Sequence, residues 1–384
     1  MDIRLAREAE AIISEAEQGK RADAVLKQRF KASRSLSPDD KTAVSQAVFT
    51  FYRWRGWLDA KQSIRGQLYE SESFAARFTR DSKSFTDVEL MERSVPEWTR
   101  KQMKITPAWV RSLQAEPCIW LRCKRSARQA VLEALGNVTC PFSKVREALQ
   151  YRGEEDLFRT AAFHEGLFEI QDISSQAVGL IANPQAKQTW WDACAGEGGK
   201  TLHLSDLMNN TGMIWASDLA AWRLQVLKRR CGRAGVFNYR SASWDGSAKL
   251  PTKTRFDVVL VDAPCTGIGT WQRNPQARWT TTERDVAELA ELQKRILHNA
   301  VPSLKPGGIL IYSVCTLARA ETTEVVEEFA KTHPEFEALP RSNPLAEKSI
   351  KAAQHWLLPY EVNGNGMFIA LWRRQADNPG KTNG

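Results

Sequence analysis

The sequence predicts an α/β fold for the C-terminal part of the chain, preceded by an all-α segment and a small α+β segment. From residue 168 onward, apolar runs that end abruptly in polar and turn residues alternate with helical stretches. Runs of Val, Ile and Leu of this kind are typical of parallel strands buried on both faces. Residues 1–85 instead carry Ala, Leu, Glu and Lys at helical spacing, with few glycines.

The 384 residues are too many for one typical core, so several domains are expected. We predict an all-α domain over residues 1–85, a small α+β domain over 86–162 and an α/β domain over 163–374. The polar segment 375–384, which contains Gly, Pro and Asn, is predicted to be disordered.

The all-α segment contains one clear helix start. Ser37 followed by Pro38 combines a good N-cap with proline at the first helical position, which predicts a helix through Lys41 to Trp57. Aromatic and basic residues interleave over residues 49–57. Such rings stack on nucleic-acid bases or pack in a core, and both interpretations stay open at this point.

The middle segment has a mixed pattern. Residues 96–103 and 126–135 are predicted to be helices, and residues 118–123 are predicted to form a strand.

The α/β segment alternates regularly, which predicts βαβ units with right-handed crossovers and a parallel sheet. Predicted strands cover residues 188–193, 211–217, 256–261 and 309–313, and predicted helices cover 200–208, 220–234, 282–303 and 321–333.

The composition favours a polyanionic partner. Lys and Arg number 54 against 45 Asp and Glu, a formal net charge of +9, although a basic balance alone is equally compatible with an ordinary soluble protein. Arg273, Arg278 and Trp279 combine basic and aromatic side chains after a predicted strand end, so we select them as candidate nucleic-acid-binding residues.

Other classes of protein are disfavoured. The seven cysteines lack the paired spacing of a zinc site, so we expect no metal. No apolar run reaches the roughly 18 residues of a membrane span, and the charged N-terminus does not resemble a secretory signal. We expect a soluble cytoplasmic protein without disulfides, and a monomer.

A glycine-rich turn between a predicted strand and a predicted helix is the candidate cofactor site. Residues 194–200, Cys-Ala-Gly-Glu-Gly-Gly-Lys, match neither the dinucleotide-binding Gly-x-Gly-x-x-Gly pattern nor a phosphate-binding Walker loop. Asp218 and Asp245 follow the next two strand ends, where acidic side chains bind ribose hydroxyls or an adenine amino group. This arrangement suits S-adenosylmethionine better than a nicotinamide. The candidate cofactor-binding residues are Cys194, Ala195, Gly196, Glu197, Gly198, Gly199, Lys200, Asp218, Asp245 and Asp262.

Two cysteines are the candidate catalytic residues. Cys265 and Cys315 each follow an apolar run, and Asp262 ends the first of these runs. Because the carboxyl ends of parallel strands meet at one edge of a sheet, the two thiols are expected to share a cleft with that acid. Either cysteine alone would more commonly be a small buried apolar residue.

Together these motifs resemble the RNA 5-methylcytosine methyltransferases of the Sun (RsmB-like) type. The motifs that carry the resemblance are QDISSQ at 171–176, DACAGEGGKT at 192–201, DAPCTG at 262–267, RNP at 273–275, KPGG at 305–308 and YSVCT at 312–316. The resemblance implies a Rossmann-like methyltransferase domain with a mostly parallel seven-stranded sheet, and a NusB-like RNA-binding domain in front of it. It also implies an RNA substrate, ribosomal RNA in preference to transfer RNA.

The resemblance implies a role for four residues. Cys315 would attack the cytosine, Asp262 would hydrogen-bond the edge of the base, and Cys265 would assist release of the product. Lys200 would raise the local positive potential. By analogy with DNA cytosine methyltransferases, Cys265 would be the nucleophile instead.

The sequence departs from the family pattern at several positions, two of them inside these motifs. Beyond the motifs, Glu321-Thr322 stands where Glu-Asn is usual, and residues 365–368, Asn-Gly-Met-Phe, stand where Asp-Gly-Phe-Phe is usual. Glu197 stands where proline is usual, and Val314 stands where threonine is usual. These departures leave open a non-catalytic RNA-binding protein on a methyltransferase scaffold.

Overall fold

The computed structural model describes residues 2–33, 35–348 and 350–376. It divides into two compact units, Met1–Pro117 with Thr270–Glu283, and Cys118–Gly269 with Arg284–Gly384. The predicted disordered tail, 375–384, lies outside the described residues from residue 377 onward. No described helix is long and apolar enough to cross a membrane.

The first unit is helical. Its helices are α1 (Ile3–Ala16), α2 (Ala22–Ala32), α3 (Pro38–Trp54), α4 (Ile64–Arg80), α5 (Asp87–Arg93), α6 (Thr99–Gln102) and α7 (Pro107–Gln114). The predicted start of α3 is confirmed, because Ser37 caps the helix and its hydroxyl accepts from the backbone N–H of Asp40. The unit extends beyond the predicted boundary at residue 85, since α5 to α7 continue the helical pattern to residue 114.

The aromatic and basic stretch at residues 49–57 supplies core side chains. Phe51, Tyr52, Trp54 and Trp57 are buried, and the Trp54 ring contacts the Trp57 ring at a centroid distance of 5.0 Å. Packing is therefore the right interpretation for these four rings.

The second unit begins with a small antiparallel sheet. It consists of β1 (Ile119–Cys123), α8 (Arg128–Leu135), β2 (Val138–Thr139), β3 (Ala148–Tyr151), α9 (Ala161–His164) and β4 (Phe168–Ile170). The strand order is β2-β3-β1-β4. The strand predicted at residues 118–123 is thus confirmed, and the α+β part lies closer to residues 118–170 than to the predicted 86–162.

The large sheet follows the predicted alternation. Its first half contains α10 (Ile173–Ala182), β5 (Thr189–Asp192), α11 (Gly199–Leu207), β6 (Met213–Asp218), α12 (Ala221–Ala234), β7 (Tyr239–Ser243) and β8 (Phe256–Asp262). After the short α13 (Ala277–Thr280), which belongs to the first unit, come α14 (Glu283–Ala300), β9 (Leu304–Val314) and α15 (Thr323–Thr332). The remaining elements are β10 (Phe336–Ala338), β11 (Arg341–Ser342), β12 (Lys351–Ala352), β13 (Gln354–Leu357), α16 (Pro359–Val362) and β14 (Met367–Arg374).

The strand order of this sheet is β10-β14-β9-β8-β5-β6-β7, with β13 paired to β14. The five strands β5 to β9 are parallel to their neighbours, and β14 is antiparallel to β9. Both faces are buried: consecutive strand residues point to opposite faces, and Trp190 and Trp191 each belong to a different apolar core. The α/β prediction is therefore confirmed, and the described sheet has one strand more than the seven expected.

Candidate active site

A cavity of about 750 Å³ lies at the carboxyl ends of β5, β6, β8 and β9. It brings together the predicted catalytic residues and all but one of the predicted cofactor residues. The exception is Gly198, which is buried beneath the turn and contacts the apolar core. The expected cleft therefore exists and lies within the second unit.

The glycine turn that leads into α11 depends on two left-handed residues. Gly196 has a φ of 55° and Gly198 a φ of 87°, values that favour glycine. A Cβ atom at Gly198 would lie 2.7 Å from Cγ of Leu227, whereas one at Gly196 would meet nothing within 4 Å. The turn thus brings the backbone to the cavity wall at the N-terminus of α11, and Gly198 fixes its packing against α12.

Asp218 and Asp245, the two acids predicted to follow strand ends at the cofactor site, both lie at the cavity. The Asp218 carboxylate is nearly buried and accepts from the backbone N–H groups of Gly196 (3.0 Å) and Ala220 (2.8 Å). Asp245 is exposed and accepts from the backbone N–H of Ser247 (3.0 Å). Asp218 is therefore held by the glycine turn and by its own loop, and both carboxylates line the cavity.

Sequence reasoning did not select Asp192, the last residue of β5. Its carboxylate is fully buried, Oδ2 accepts from the Thr201 hydroxyl (2.7 Å), and Oδ1 has no partner among the described residues. Burial raises the pKa of Asp192 from 3.8 to about 7. Its position at the end of β5, beside the glycine turn, was the available signal.

The two candidate thiols are in direct contact. Sγ of Cys265 lies 3.3 Å from Sγ of Cys315, so one thiol can donate a hydrogen bond to the other. That hydrogen bond lowers the pKa of Cys315, and the positive charge of Lys200 acts in the same direction. The hydrogen bond and burial raise the pKa of Cys265, and the negative charge of Glu321 acts in the same direction. The adjacent Asp262 carboxylate opposes the effect of Lys200, so the hydrogen bond from Cys265 is what favours the thiolate form of Cys315.

Asp262 connects Lys200 to the strand that carries Cys315. Lys200 Nζ lies 2.6 Å from Asp262 Oδ2, and the Ser313 hydroxyl donates to Oδ1 at 2.6 Å. Burial disfavours the charge of Lys200, but the adjacent Asp262 carboxylate outweighs burial and raises the pKa of the lysine. A positive charge is disfavoured at a helix N-terminus, and within the protein the Asp262 carboxylate compensates for it at Lys200.

Glu321, which stands where the family pattern also has a glutamate, was not selected as a site residue from the sequence. It is fully buried, and it accepts from the backbone N–H of Thr266 (2.9 Å), from Gln293 Nε2 (3.0 Å) and from the Thr316 hydroxyl (2.9 Å). Burial raises its pKa. Because Thr266 follows Cys265 and Thr316 follows Cys315, Glu321 ties together the two loops that carry the thiols.

Cys194 and Glu197 also line the cavity, whereas Val314 does not. Burial raises the pKa of Cys194 well above its ordinary value, so this thiol is held neutral. Glu197 is exposed to solvent, and its backbone carbonyl accepts from Arg230 (3.1 Å). Val314 is fully buried in the core and pairs with Phe368 of β14.

The prediction that Arg278 contacts RNA is wrong. The side chain is fully buried in the first unit, where it donates to the backbone carbonyls of Arg53 (3.3 Å), Ser94 (3.1 Å) and Leu113 (3.1 Å). Burial lowers the pKa of Arg278 to about 9. The side chain joins three backbone segments and leaves no surface for a phosphate.

Trp279 is likewise committed to the first unit. Its ring packs on the helical core and its Nε1 donates to the carbonyl of Tyr52 (2.7 Å), which argues against stacking on a base. Arg273 is only partly buried and stays a prediction.

Comparison with known proteins gives a consistent result. Residues 179–373 match the family described as 16S rRNA methyltransferase RsmB/F. The chain is 33% identical over 296 residues to a probable ribosomal RNA small subunit methyltransferase B of Synechocystis, covering 72% of this chain and 66% of that protein. It is 36% identical over 222 residues to a Bacillus subtilis protein of the same name, covering 56% and 50%.

The chain thus spans about half to two thirds of the length of these relatives. The solved structure of PH0851 has a similar fold, with a TM-score of 0.79 and 23% identity, covering 97% of this chain and 99% of that one.

Proposed function

Because the chain belongs to the 16S rRNA methyltransferase RsmB/F family, we propose that it transfers a methyl group from S-adenosylmethionine to carbon 5 of a cytosine in ribosomal RNA. The observation that carries the proposal is the pair of thiols in contact at 3.3 Å, beside a lysine-bound aspartate in one cavity.

The cavity has the features that S-adenosylmethionine requires. The Asp218 carboxylate keeps free lone pairs for ribose hydroxyls after accepting two backbone N–H groups, and Asp245 is available for an amino group of the adenine. The glycine turn lets the ligand approach the backbone at residues 194–200. When bound there, S-adenosylmethionine supplies an electrophilic methyl group.

Cys315 is proposed as the nucleophile. Carbon 5 of cytosine is a poor nucleophile until a thiolate adds to carbon 6, which converts the ring into an enamine. In that step the S–C6 bond forms and the π electron pair of the C5–C6 double bond moves to carbon 5, which becomes nucleophilic. A lowered pKa increases the thiolate fraction of Cys315 at neutral pH.

Asp262 is proposed to orient the base. Its ionised carboxylate can accept from the exocyclic amino group of cytosine, while a contact with the ring nitrogen N3 requires a proton on the acid. Lys200, 2.6 Å from the carboxylate, holds Asp262 in place and supplies positive charge where electron density accumulates during the attack.

Cys265 is proposed to assist release. After methylation the proton on carbon 5 leaves, the C5–C6 double bond re-forms and the S–C6 bond breaks. The Cys265 thiol lies within hydrogen-bond distance of the departing sulfur and can stabilise it as a thiolate. Cys265 would also serve as the base that removes the proton if it is itself ionised at that stage.

The helical first unit is proposed to be a NusB-like RNA-binding module that directs the enzyme to 16S rRNA. Support comes from the names of the relatives and from the basic balance of the chain. Bisulfite sequencing of ribosomal and transfer RNA from a deletion strain tests the choice of substrate. Loss of a 5-methylcytosine from 16S rRNA is expected, and loss from a transfer RNA instead would overturn it.

Substitution of the two cysteines tests the chemistry. With S-adenosylmethionine and 16S rRNA, Cys315→Ala should abolish methyl transfer, and Cys265→Ala should accumulate a covalent RNA–protein adduct that survives denaturation. Transfer that survives Cys315→Ala would instead assign the attack to Cys265. The non-catalytic alternative is tested by calorimetry, because absence of S-adenosylmethionine binding would leave only an RNA-binding scaffold.

A further inference from the structure

A second cavity of about 500 Å³ lies in the second unit, apart from the active-site residues. Four basic side chains line it: Arg122 of β1, Lys124 and Arg125 of the following turn, and Lys144 of the loop before β3. Helices α10 and α11 supply the opposite wall, through Gln176 and Asp206 among others.

Arg122 forms the fixed floor of this basic cavity. Its side chain is buried, its Nε donates to Gln171 Oε1 at 2.7 Å, and its Nη1 pairs with Asp206. Gln171 in turn donates from Nε2 to the carbonyl of Gly199 (3.1 Å), the residue before Lys200. The floor of the basic cavity is therefore tied by two hydrogen bonds to the glycine turn of the active site.

The positive charge at the rim exceeds the negative charge. Arg125 pairs with Glu147 at 2.8 Å, but within the described ranges neither Lys124 nor Lys144 pairs with a carboxylate. Lys144 Nζ approaches only the backbone carbonyls of residues 346 and 347, at 3.5 and 3.4 Å. Two lysine charges thus remain available to an anion.

The basic cavity and the active site share two helices. On α11, Lys200 lines the active site and Asp206 the basic cavity, a separation of about 9 Å along the axis at 1.5 Å per residue. On α10, Ser175 lines the active site and Gln176 the basic cavity. The wall of the basic cavity therefore lies within two helical turns of Lys200 on α11.

We propose that the basic cavity binds backbone phosphates of the RNA strand next to the target cytidine. The inference rests on the proposed function for the identity of the polyanion as RNA. Lys124 and Lys144 contact the phosphates, and Arg122 positions the cavity through Asp206 and Gln171.

The test uses the full chain and a fluorescein-labelled 20-nucleotide single-stranded RNA, without a methyl donor. Fluorescence anisotropy gives Kd over a series of KCl concentrations for the wild type and for Lys124→Gln/Lys144→Gln. Each lost phosphate contact with a single strand reduces the slope of log Kd against log salt by about 0.7, so the double variant should lose about 1.4. A matched variant, Lys228→Gln/Arg229→Gln, removes two exposed charges from α12 and should keep the wild-type slope.

An unchanged slope in the cavity variant would overturn the proposal, as would an equal loss in the matched variant. Displacement of the RNA by poly-glutamate at equal charge would assign the cavity to acidic peptides instead. If the double variant does not reach the wild-type unfolding midpoint, the single variant Lys144→Gln at an exposed side chain carries the test, with an expected loss of about 0.7.

Methylation assays distinguish a failure of this inference from a failure of the proposed function. In methylation assays the cavity variant should raise KM for RNA several-fold and leave kcat unchanged. Absence of any methyl transfer by the wild type, together with the expected change in slope, would refute the proposed function and support the basic cavity.

Discussion

Replacing Cys265 by alanine should raise the pKa of Cys315. In the structure the two sulfurs lie 3.3 Å apart, and the Cys265 thiol is the first cause of the lowered pKa of Cys315. Alanine removes the donor and leaves the positive charge of Lys200 in place. Cys315 should therefore lose part of its stabilisation as a thiolate, and no charge is added to or removed from the surrounding cavity.

The size of the shift follows from the energy of the lost hydrogen bond. A hydrogen bond to a charged group contributes roughly 1.5–3 kcal/mol, and one pKa unit corresponds to about 1.4 kcal/mol. A thiol is a weak donor, so the lower end applies and the shift should be about 1 unit. At a pH below both values, the thiolate fraction, and with it the rate of alkylation, should fall about tenfold.

The assay is alkylation of the free enzyme by iodoacetamide across pH, with the Cys315 peptide quantified by mass spectrometry. The midpoint should lie about 1 unit higher in Cys265→Ala than in the wild type, and Cys265→Ser, which keeps a donor, should shift less. Cys194→Ala, a change in the same cavity, should leave the midpoint unchanged because its thiol is not the partner of Cys315. Equal midpoints for the wild type and Cys265→Ala would refute the assignment of Cys265 as the donor.

Three further predictions follow from buried groups. Gly198→Ala should destabilise the protein by about 2–4 kcal/mol in chemical unfolding, because the strain of a positive φ and the cost of overpacking add to one another. Gly196→Ala should cost only about 1 kcal/mol, the strain of the positive φ alone. Equal losses in the two variants would contradict the packing argument. The pKa of Asp192 is about 7 in the folded protein against 3.8 for an ordinary aspartate, so the free energy of unfolding should fall as pH rises from 3.8 through 7. Asp192→Asn should remove this pH dependence. If the variant kept the wild-type pH profile, Asp192 would not be its source. Arg278→Met should lower the free energy of unfolding by at least about 2 kcal/mol, because it leaves buried carbonyls unpaired, and should not change the salt dependence of RNA binding. Arg273→Glu should weaken RNA binding. Weaker RNA binding in Arg278→Met but not in Arg273→Glu would show that Arg278 contacts RNA.

The sheet and its functional edge were predictable because their signals are local. Most of the parallel strands are apolar runs, the polar β7 (Tyr239–Ser243) being an exception, and the ends of β6 and β8 are marked by Asp218 and Asp262. Once the strands are known to be parallel and adjacent, topology alone brings Cys265 and Cys315 to one edge. The shared cleft was therefore predictable, whereas the 3.3 Å contact between the two sulfurs is known only from the structure.

The functions of Arg278 and Glu321 were not predictable in this way. Arg278 follows a strand end and resembles a surface cation, but residues 270–283 belong to the helical unit, where three carbonyls from distant segments surround the guanidinium. Glu321 is the first residue of the predicted helix 321–333, a position where an acid is ordinarily a favourable first-turn residue. Both are defined by partners far away in sequence, which spacing along the chain does not encode.

The two departures from the family pattern inside the motifs affect the chemistry less than their positions suggest. Glu197 is exposed, so water screens its charge and its influence on a ligand held by the backbone of the same turn is small. Val314 is fully buried beside Phe368 of β14, where a valine avoids the cost of desolvating a hydroxyl. The loop beyond Val314 is held by Thr316 and Glu321, which do not depend on residue 314. The position of the Cys315 thiol is therefore set by groups that this chain retains.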